Sequence, residues 1–225
     1  MLIDLNNRDD LLAALTQGAT VITPNNRLSN QLVYDWLSQQ SRVSEKPKCL
    51  PYSSFLRACF KSVQHSLEPH APPLLLTMQQ QRHLWRQILG DCNDGLLHEI
   101  QSAWTNCQHW LLDCNDPTFA QTPQTRQFQQ WQWQMQQQLD RLNTITEEQL
   151  GQYFLSNPDV LNPTTIIWTC FDDFTPEQRA IQKILSAKGC RQYQYELAQR
   201  PNITHLYAAK DGQDEYLRMI DRKSV

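Results

Sequence analysis

Two adjacent acidic residues, Asp172 and Asp173, stand between an apolar run and a helix start in the stretch TIIWTCFDDFTPEQ. The apolar run predicts a buried strand. Thr175 and Gln178 then form a capping box, and Pro176 suits the first turn of the helix that begins there. Nucleotide hydrolases hold Mg²⁺ with an acid at such a strand end. The alternative is that the two acids solvate the loop and place negative charge at the helix N-terminus.

A magnesium-dependent hydrolase also needs a phosphate-binding loop of the form G-x-x-x-x-G-K-[ST]. The seven lysines lie at positions 46, 48, 61, 183, 188, 210 and 223, and none follows a glycine or lies in a glycine-rich turn after a strand. Phosphoryl transfer depends on that lysine and on the backbone donors of the loop. The sequence therefore predicts no catalytic residue and no cofactor, and Asp172 and Asp173 as the remains of a metal site.

A second polar segment lies in TVITPNNRLSNQL, where Thr23, Asn25, Asn26 and Arg27 stand between a predicted strand and a predicted helix. Backbone N–H groups at a helix start can hold a phosphate oxygen. Hydroxyl, amide and guanidinium side chains can add contacts to a nucleic-acid backbone. Ordinary turn and capping chemistry is the alternative for the same residues. We predict these four residues as candidate nucleic-acid contacts.

The net charge, the cysteine spacing and the apolar runs argue against several classes of protein. The net charge of −3 and pI of 6.0 argue against a protein that coats a nucleic-acid backbone, although they leave room for a local basic strip. Seven cysteines without any C-x-x-C predict reduced thiols and no metal site. The N-terminus resembles no signal peptide, and no run approaches about 18 apolar residues. We expect a cytoplasmic protein without membrane contact.

The pattern of apolar residues changes twice along the 225-residue chain. Strand–turn–helix units over 1–73 and 157–225 predict an α/β domain with a parallel sheet, and 74–156 predicts an all-helical inserted subdomain. The predicted strands span 19–24, 48–50, 165–168, 191–197 and 203–209. The predicted helices span 8–17, 27–40, 53–64, 78–89, 94–112, 123–142, 147–154 and 214–220, and a further helix is predicted to begin at 176.

Four segments, in this order, resemble the N-terminal region of AddB-like bacterial DNA repair proteins. They are TVITPNNRLSNQLVYDWL, KCLPYSSFLRACF, LLLTMQQQRHLWRQIL and IIWTCFDDFTPEQRAIQKIL. That family joins an inactivated superfamily 1 helicase-like region to a C-terminal PD-(D/E)XK exonuclease. The resemblance implies a RecA-like (P-loop NTPase-like) parallel sheet with helices on both faces, interrupted by the helical subdomain.

The resemblance also assigns roles to the two polar segments. It aligns Thr23, Asn25, Asn26 and Arg27 with a helicase motif that touches single-stranded DNA, and Asp172 and Asp173 with a degenerate motif II. It implies weak binding of single-stranded or duplex-end DNA. It also implies an N-terminal fragment, whose partner is the missing nuclease half or another repair subunit.

Three functions are therefore open on the sequence. The first is a non-catalytic, helicase-like DNA-binding or scaffold module of a recombination and repair exonuclease. The second is a self-contained helical adaptor that binds a protein partner through its Gln-rich insertion, where Trp133 is predicted to be exposed. The third is an unorthodox nucleotide hydrolase that uses Asp172 and Asp173.

Overall fold

A computed structural model describes residues 2–5, 7–40, 45–64 and 72–196. The predicted strand 203–209 and helix 214–220 lie outside the described residues. None of the helices in the described ranges has the length and apolarity needed to cross a membrane.

The strands form a parallel sheet and a separate short ladder. The five-stranded sheet has the order β1-β7-β6-β2-β3, and all its neighbouring strands are parallel. A second, two-stranded parallel ladder joins β4 to β5. The strands are β1 Ile3–Asp4, β2 Thr20–Thr23, β3 Cys49–Pro51, β4 Leu74–Leu75, β5 Thr144–Ile145, β6 Thr165–Thr169 and β7 Arg191–Tyr195.

Eight α-helices connect these strands within the described ranges, with single turns of 3-10 helix at Glu147–Gln149 and Pro158–Val160. Six of the eight begin directly after an Asn or Thr whose side-chain oxygen accepts a backbone N–H of the first helical turn. The helices are α1 Arg8–Thr16, α2 Asn26–Ser38, α3 Tyr52–Gln64, α4 Met78–Leu89, α5 Asp94–His109, α6 Pro123–Leu142, α7 Leu150–Ser156 and α8 Pro176–Ala187.

Apolar side chains of the central strands point alternately to the two faces of the sheet, and helices cover both faces. Val21 and Ile167 face one cluster, which contains the apolar residues of α1 and α2. Ile22, Ile166 and Trp168 face the other cluster, which contains those of α3, α7 and α8. Because successive side chains of a strand point to opposite faces, both faces of β2 and β6 are buried. The predicted α/β fold with a parallel sheet is confirmed.

The segment between the two halves of the sheet domain has its own core. Trp85 of α4, Trp104 of α5 and Met135 of α6 are fully buried in one cluster. The rings of Trp85 and Trp104 meet edge to face at 5.7 Å. The prediction that this segment is all-helical is wrong, because β4 and β5 pair within it. Both strands are outside the five-stranded sheet.

The last helix of this segment packs with the sheet. Leu150 and Phe154 of α7 are fully buried in the cluster that α3 and α8 form against Ile22 and Trp168. The division of the chain at 74 and 156 stays a prediction. By its packing, α7 is the element that joins the insertion to the sheet.

Two local differences from the sequence prediction have physical causes. Strand β1 was not predicted, since two exposed residues carry no pattern and their strand geometry comes from pairing with β7. Helix α5 ends at His109 rather than at 112, because Leu111 adopts a φ of 51°. The Leu112 N–H then donates to the Cys107 carbonyl at 2.9 Å, which closes the helix in a Schellman pattern.

Candidate nucleic-acid interface at the carboxyl edge of the sheet

The two polar segments predicted from the sequence lie side by side at the carboxyl edge of the sheet. Strands β2 and β6 are neighbours, with Ile22 paired to Trp168. From β2 the chain continues to β3 on one side, and from β6 it continues to β7 on the other side. Ligands of open α/β sheets bind in the crevice at such a reversal of strand order.

In the segment at the end of β2, the side chains of Thr23 and Asn25 stabilise the turn and the start of α2. Thr23 is fully buried, and its hydroxyl donates to the Asn25 carbonyl at 2.9 Å. The Asn25 side-chain oxygen accepts the Leu28 N–H at 3.0 Å and caps α2. These two side chains therefore perform the turn and capping chemistry that the sequence offered as the alternative.

The second half of the same segment faces solvent. Asn26 and Arg27 occupy the first turn of α2, and both are exposed. Neither side chain makes a hydrogen bond or ion pair with another described residue. Arg27 is thus an uncompensated positive charge next to free backbone donors of a helix start, which is where an anionic group is held best.

The acidic pair after β6 is not arranged as a metal site. One Asp173 oxygen accepts the Phe174 N–H at 2.7 Å and an Arg179 guanidinium N–H at 2.6 Å. The Phe174 N–H, and then the charge of Arg179, lower the pKa of Asp173. Asp172 is exposed. No group of three metal-ligating side chains occurs in the described part of the chain.

A strained turn and an aromatic cluster fix the loop that carries these acids. Cys170, directly after β6, has a φ of 56°, which is uncommon for a residue other than glycine. Phe171 and Phe174 then stack on each other with ring centroids 5.1 Å apart. Both rings also meet Trp168 edge to face, at 5.8 Å and 5.7 Å. The loop is therefore held by packing, and its acids are exposed outside the cluster.

The connections that the structure describes after β1, β2 and β6 contain no glycine-rich phosphate-binding loop. The chain passes from β1 to α1 through residues 5–7, from β2 to α2 through 24–25, and from β6 to α8 through 170–175, without any glycine. A cavity of about 240 Å³ lies between β6, β7, α1 and α2. It is smaller than the roughly 300–1,000 Å³ of ligand pockets. Arg8 lines it and forms an ion pair with Asp35.

A buried glutamate beneath the loop was missed by the sequence analysis. Glu177 is the second residue of α8 and is 0% exposed. One carboxyl oxygen accepts the Tyr52 hydroxyl at 2.8 Å, and the other has no partner among the described residues. Burial raises the pKa of Glu177 to about 7, against the opposing effect of the Tyr52 hydrogen bond. Glutamate in a first helical turn is usually exposed, so its type and position gave no signal.

The insertion carries exposed aromatic and aliphatic side chains. Trp133, which the helical phase predicted to be exposed, is 60% exposed. Trp110 and Leu112, at the C-terminal end of α5, are 51% and 49% exposed. Both lie within the predicted helix span 94–112 but beyond the observed end of α5 at His109.

A comparison with protein-family models finds no match, and neither does a comparison with curated proteins.

Proposed function

We propose that this chain is a non-catalytic, helicase-like module that binds single-stranded DNA at the carboxyl edge of its sheet. The observation that carries the proposal is the arrangement at the β2–β6 crevice. Asn26 and Arg27 are exposed and unpaired with other described residues there, while the phosphate cradle of a nucleotide hydrolase is absent from the sequence. A DNA strand supplies the anionic oxygens that such an edge can accept.

The parallel sheet with helices on both faces supports a RecA-like assignment, as does a separate helical core inserted between β3 and β6. The same features support membership in an AddB-like DNA repair exonuclease, in which this module is an N-terminal scaffold. Its partner there is the nuclease half or another repair subunit.

Binding by this edge is weak and not specific for base sequence. One guanidinium and a helix start neutralise few phosphates, and the net charge of −3 repels the remainder of the strand. Contacts to phosphate position the strand but do not read bases. We expect comparable affinity for single strands of different sequence, and a preference for low salt.

Fluorescence anisotropy with a labelled 20-nucleotide single strand at low salt tests this proposal. Arg27→Ala should weaken binding several-fold for every sequence tried. Arg126→Ala is the matched control, because Arg126 is also exposed and unpaired among the described residues but lies on α6 of the insertion. An affinity that both substitutions leave unchanged would contradict the proposed site.

The same geometry predicts that the chain does not hydrolyse ATP. Asp173 is engaged by Arg179, and no lysine or glycine loop compensates the charge of the β- and γ-phosphates. A steady-state phosphate-release assay with Mg²⁺ should give the buffer rate. Turnover that Asp172→Ala abolishes would instead support the nucleotide-hydrolase hypothesis.

A helical adaptor is the second candidate, and the exposed side chains of Trp110, Leu112 and Trp133 favour it. Trp110, Leu111 and Leu112 follow one another in the chain and are all exposed, and contiguous exposed apolar side chains are typical of protein-binding surfaces. Replacing Trp110 and Leu112 with serine should leave DNA binding unchanged. If the chain works as an adaptor, the same double substitution should abolish its co-purification with a cellular protein.

A further inference from the structure

Three helix N-termini meet at the buried carboxyl group of Glu177. Tyr52 is the first residue of α3, Gly151 is the second residue of α7, and Glu177 is the second residue of α8. The Tyr52 hydroxyl donates to Glu177 at 2.8 Å. Because α7 belongs to the inserted segment by sequence and to the sheet cluster by packing, this junction connects the two parts of the molecule.

The backbone of α7 lies directly against the carboxyl group. A Cβ atom added to Gly151 would come within 2.0 Å of the Glu177 Cδ and within 2.4 Å of both carboxyl oxygens. Glycine is therefore required at position 151 by the space that Glu177 occupies. The carboxyl group therefore packs directly against the backbone of the first turn of α7.

The charge of this carboxyl group is poorly compensated. One of its oxygens has no hydrogen-bond partner among the described residues, and burial disfavours the ionised form. Only the Tyr52 hydroxyl opposes that effect on the pKa of Glu177. The surrounding elements carry the following titratable or charged side chains: Tyr52, Arg57, Cys59 and Lys61 on α3; Asp94, His98, Glu99, Cys107 and His109 on α5; Glu147, Glu148 and Tyr153 on α7 and the turn before it; and Cys170, Asp172, Asp173, Arg179, Lys183 and Lys188 on α8 and the residues that flank it.

We propose that Glu177 is a proton-controlled latch between the insertion and the sheet domain. In its neutral form the carboxyl group accepts the Tyr52 hydroxyl and packs against the α7 backbone, so that α3, α7 and α8 stay together. Loss of the proton leaves a buried negative charge with one hydrogen bond. The ionised group is better solvated when α7 moves away, and the junction opens.

Hydrogen exchange of the α7 backbone amides tests the latch on the whole chain. At each pH the wild type is compared with Glu177→Gln, which is neutral and nearly isosteric, so the intrinsic pH dependence of exchange cancels. If the junction opens far enough to expose Glu177 fully, the ratio of the wild-type exchange rate to that of the variant should rise with pH. We expect a rise of up to about a hundredfold between pH 5 and pH 8.5. The carboxyl carbon signal of Glu177 in NMR should titrate near pH 7 in parallel.

Two further variants keep the test decisive. Tyr52→Phe removes the hydrogen bond that favours the ionised form and should move the transition to higher pH, without abolishing it. Glu99→Gln is the control, because Glu99 is exposed on α5, and it should behave as the wild type. An α7 exchange ratio that does not change with pH, or a Glu177 signal that titrates near pH 4.5, would overturn the proposal.

Discussion

Replacing Gly151 with alanine should destabilise the fold by about 2 kcal/mol. The added Cβ would lie 2.0 Å from the Glu177 Cδ, far inside the roughly 3.5–4.0 Å of a normal carbon contact. Overpacking of a buried site costs about 1–3 kcal/mol, and this contact is severe enough to reach the upper end. Alanine returns about 0.5–1 kcal/mol, since it favours a helix more than glycine does.

Urea denaturation at pH 7 measures this change as a lower midpoint at constant slope. Gly95→Ala is the matched control, because Gly95 is also the second residue of a helix but is exposed. Its added Cβ would meet the Asn93 side-chain oxygen, which caps α5, at 3.2 Å, and relief of that contact needs a shift of only a few tenths of an ångström. The control should stay within about 0.5 kcal/mol of the wild type.

A double-mutant cycle decides whether Glu177 is the cause. Glu177→Ala removes the atoms that the new Cβ would strike, so Gly151→Ala should cost little or nothing in that background. Groups in direct contact couple by about 0.5–3 kcal/mol. An equal cost of Gly151→Ala in both backgrounds, or no cost in the wild type, would refute the close packing of α7 on this carboxyl group.

Two other predictions concern the ionisable groups near the loop. The pKa of Glu177 is about 7 in the folded chain against an ordinary 4.5, so its contribution to stability is complete below pH 4.5 and is lost as the pH rises through 7. The free energy of unfolding of the wild type, relative to Glu177→Gln, should therefore fall by about 3 kcal/mol between pH 4 and pH 8.5 in denaturant titrations. Millimolar Mg²⁺ should not change the melting temperature of the wild type or of Asp173→Ala, since Asp173 is already engaged by Arg179; a Mg²⁺-dependent rise lost in the variant would indicate a working metal site.

Elements with strong local signals were predictable from the sequence. The helix Met78–Leu89 has the predicted bounds, because Thr77 and Gln80 form a capping box and Gly90 follows its last residue. The strand Thr165–Thr169 was predicted over 165–168 from an apolar run, and both its faces are buried. Residues within or next to these elements determine where they begin and end, so their bounds depend little on contacts with distant parts of the chain.

Features that depend on distant partners were not predictable. The sequence offered two uses for Thr23 and Asn25, and only the structure shows that the fold occupies both side chains. Glu177 was overlooked because its burial results from Tyr52 and Gly151, which lie 125 and 26 positions away in the chain. Likewise, only the structure shows that Arg27 is exposed and makes no ion pair with an acidic residue of the described ranges.

The salt dependence of single-stranded DNA binding, measured for the wild type and Arg27→Ala, tests the proposed function most directly. Each phosphate neutralised on a single strand contributes about 0.7 to the slope of log affinity against log salt. Loss of one contact at Arg27 should therefore reduce the slope by about 0.7, while Arg126→Ala should leave it unchanged. Absence of binding at low salt, or an identical slope for the wild type and Arg27→Ala, would contradict a DNA-binding edge at β2 and β6.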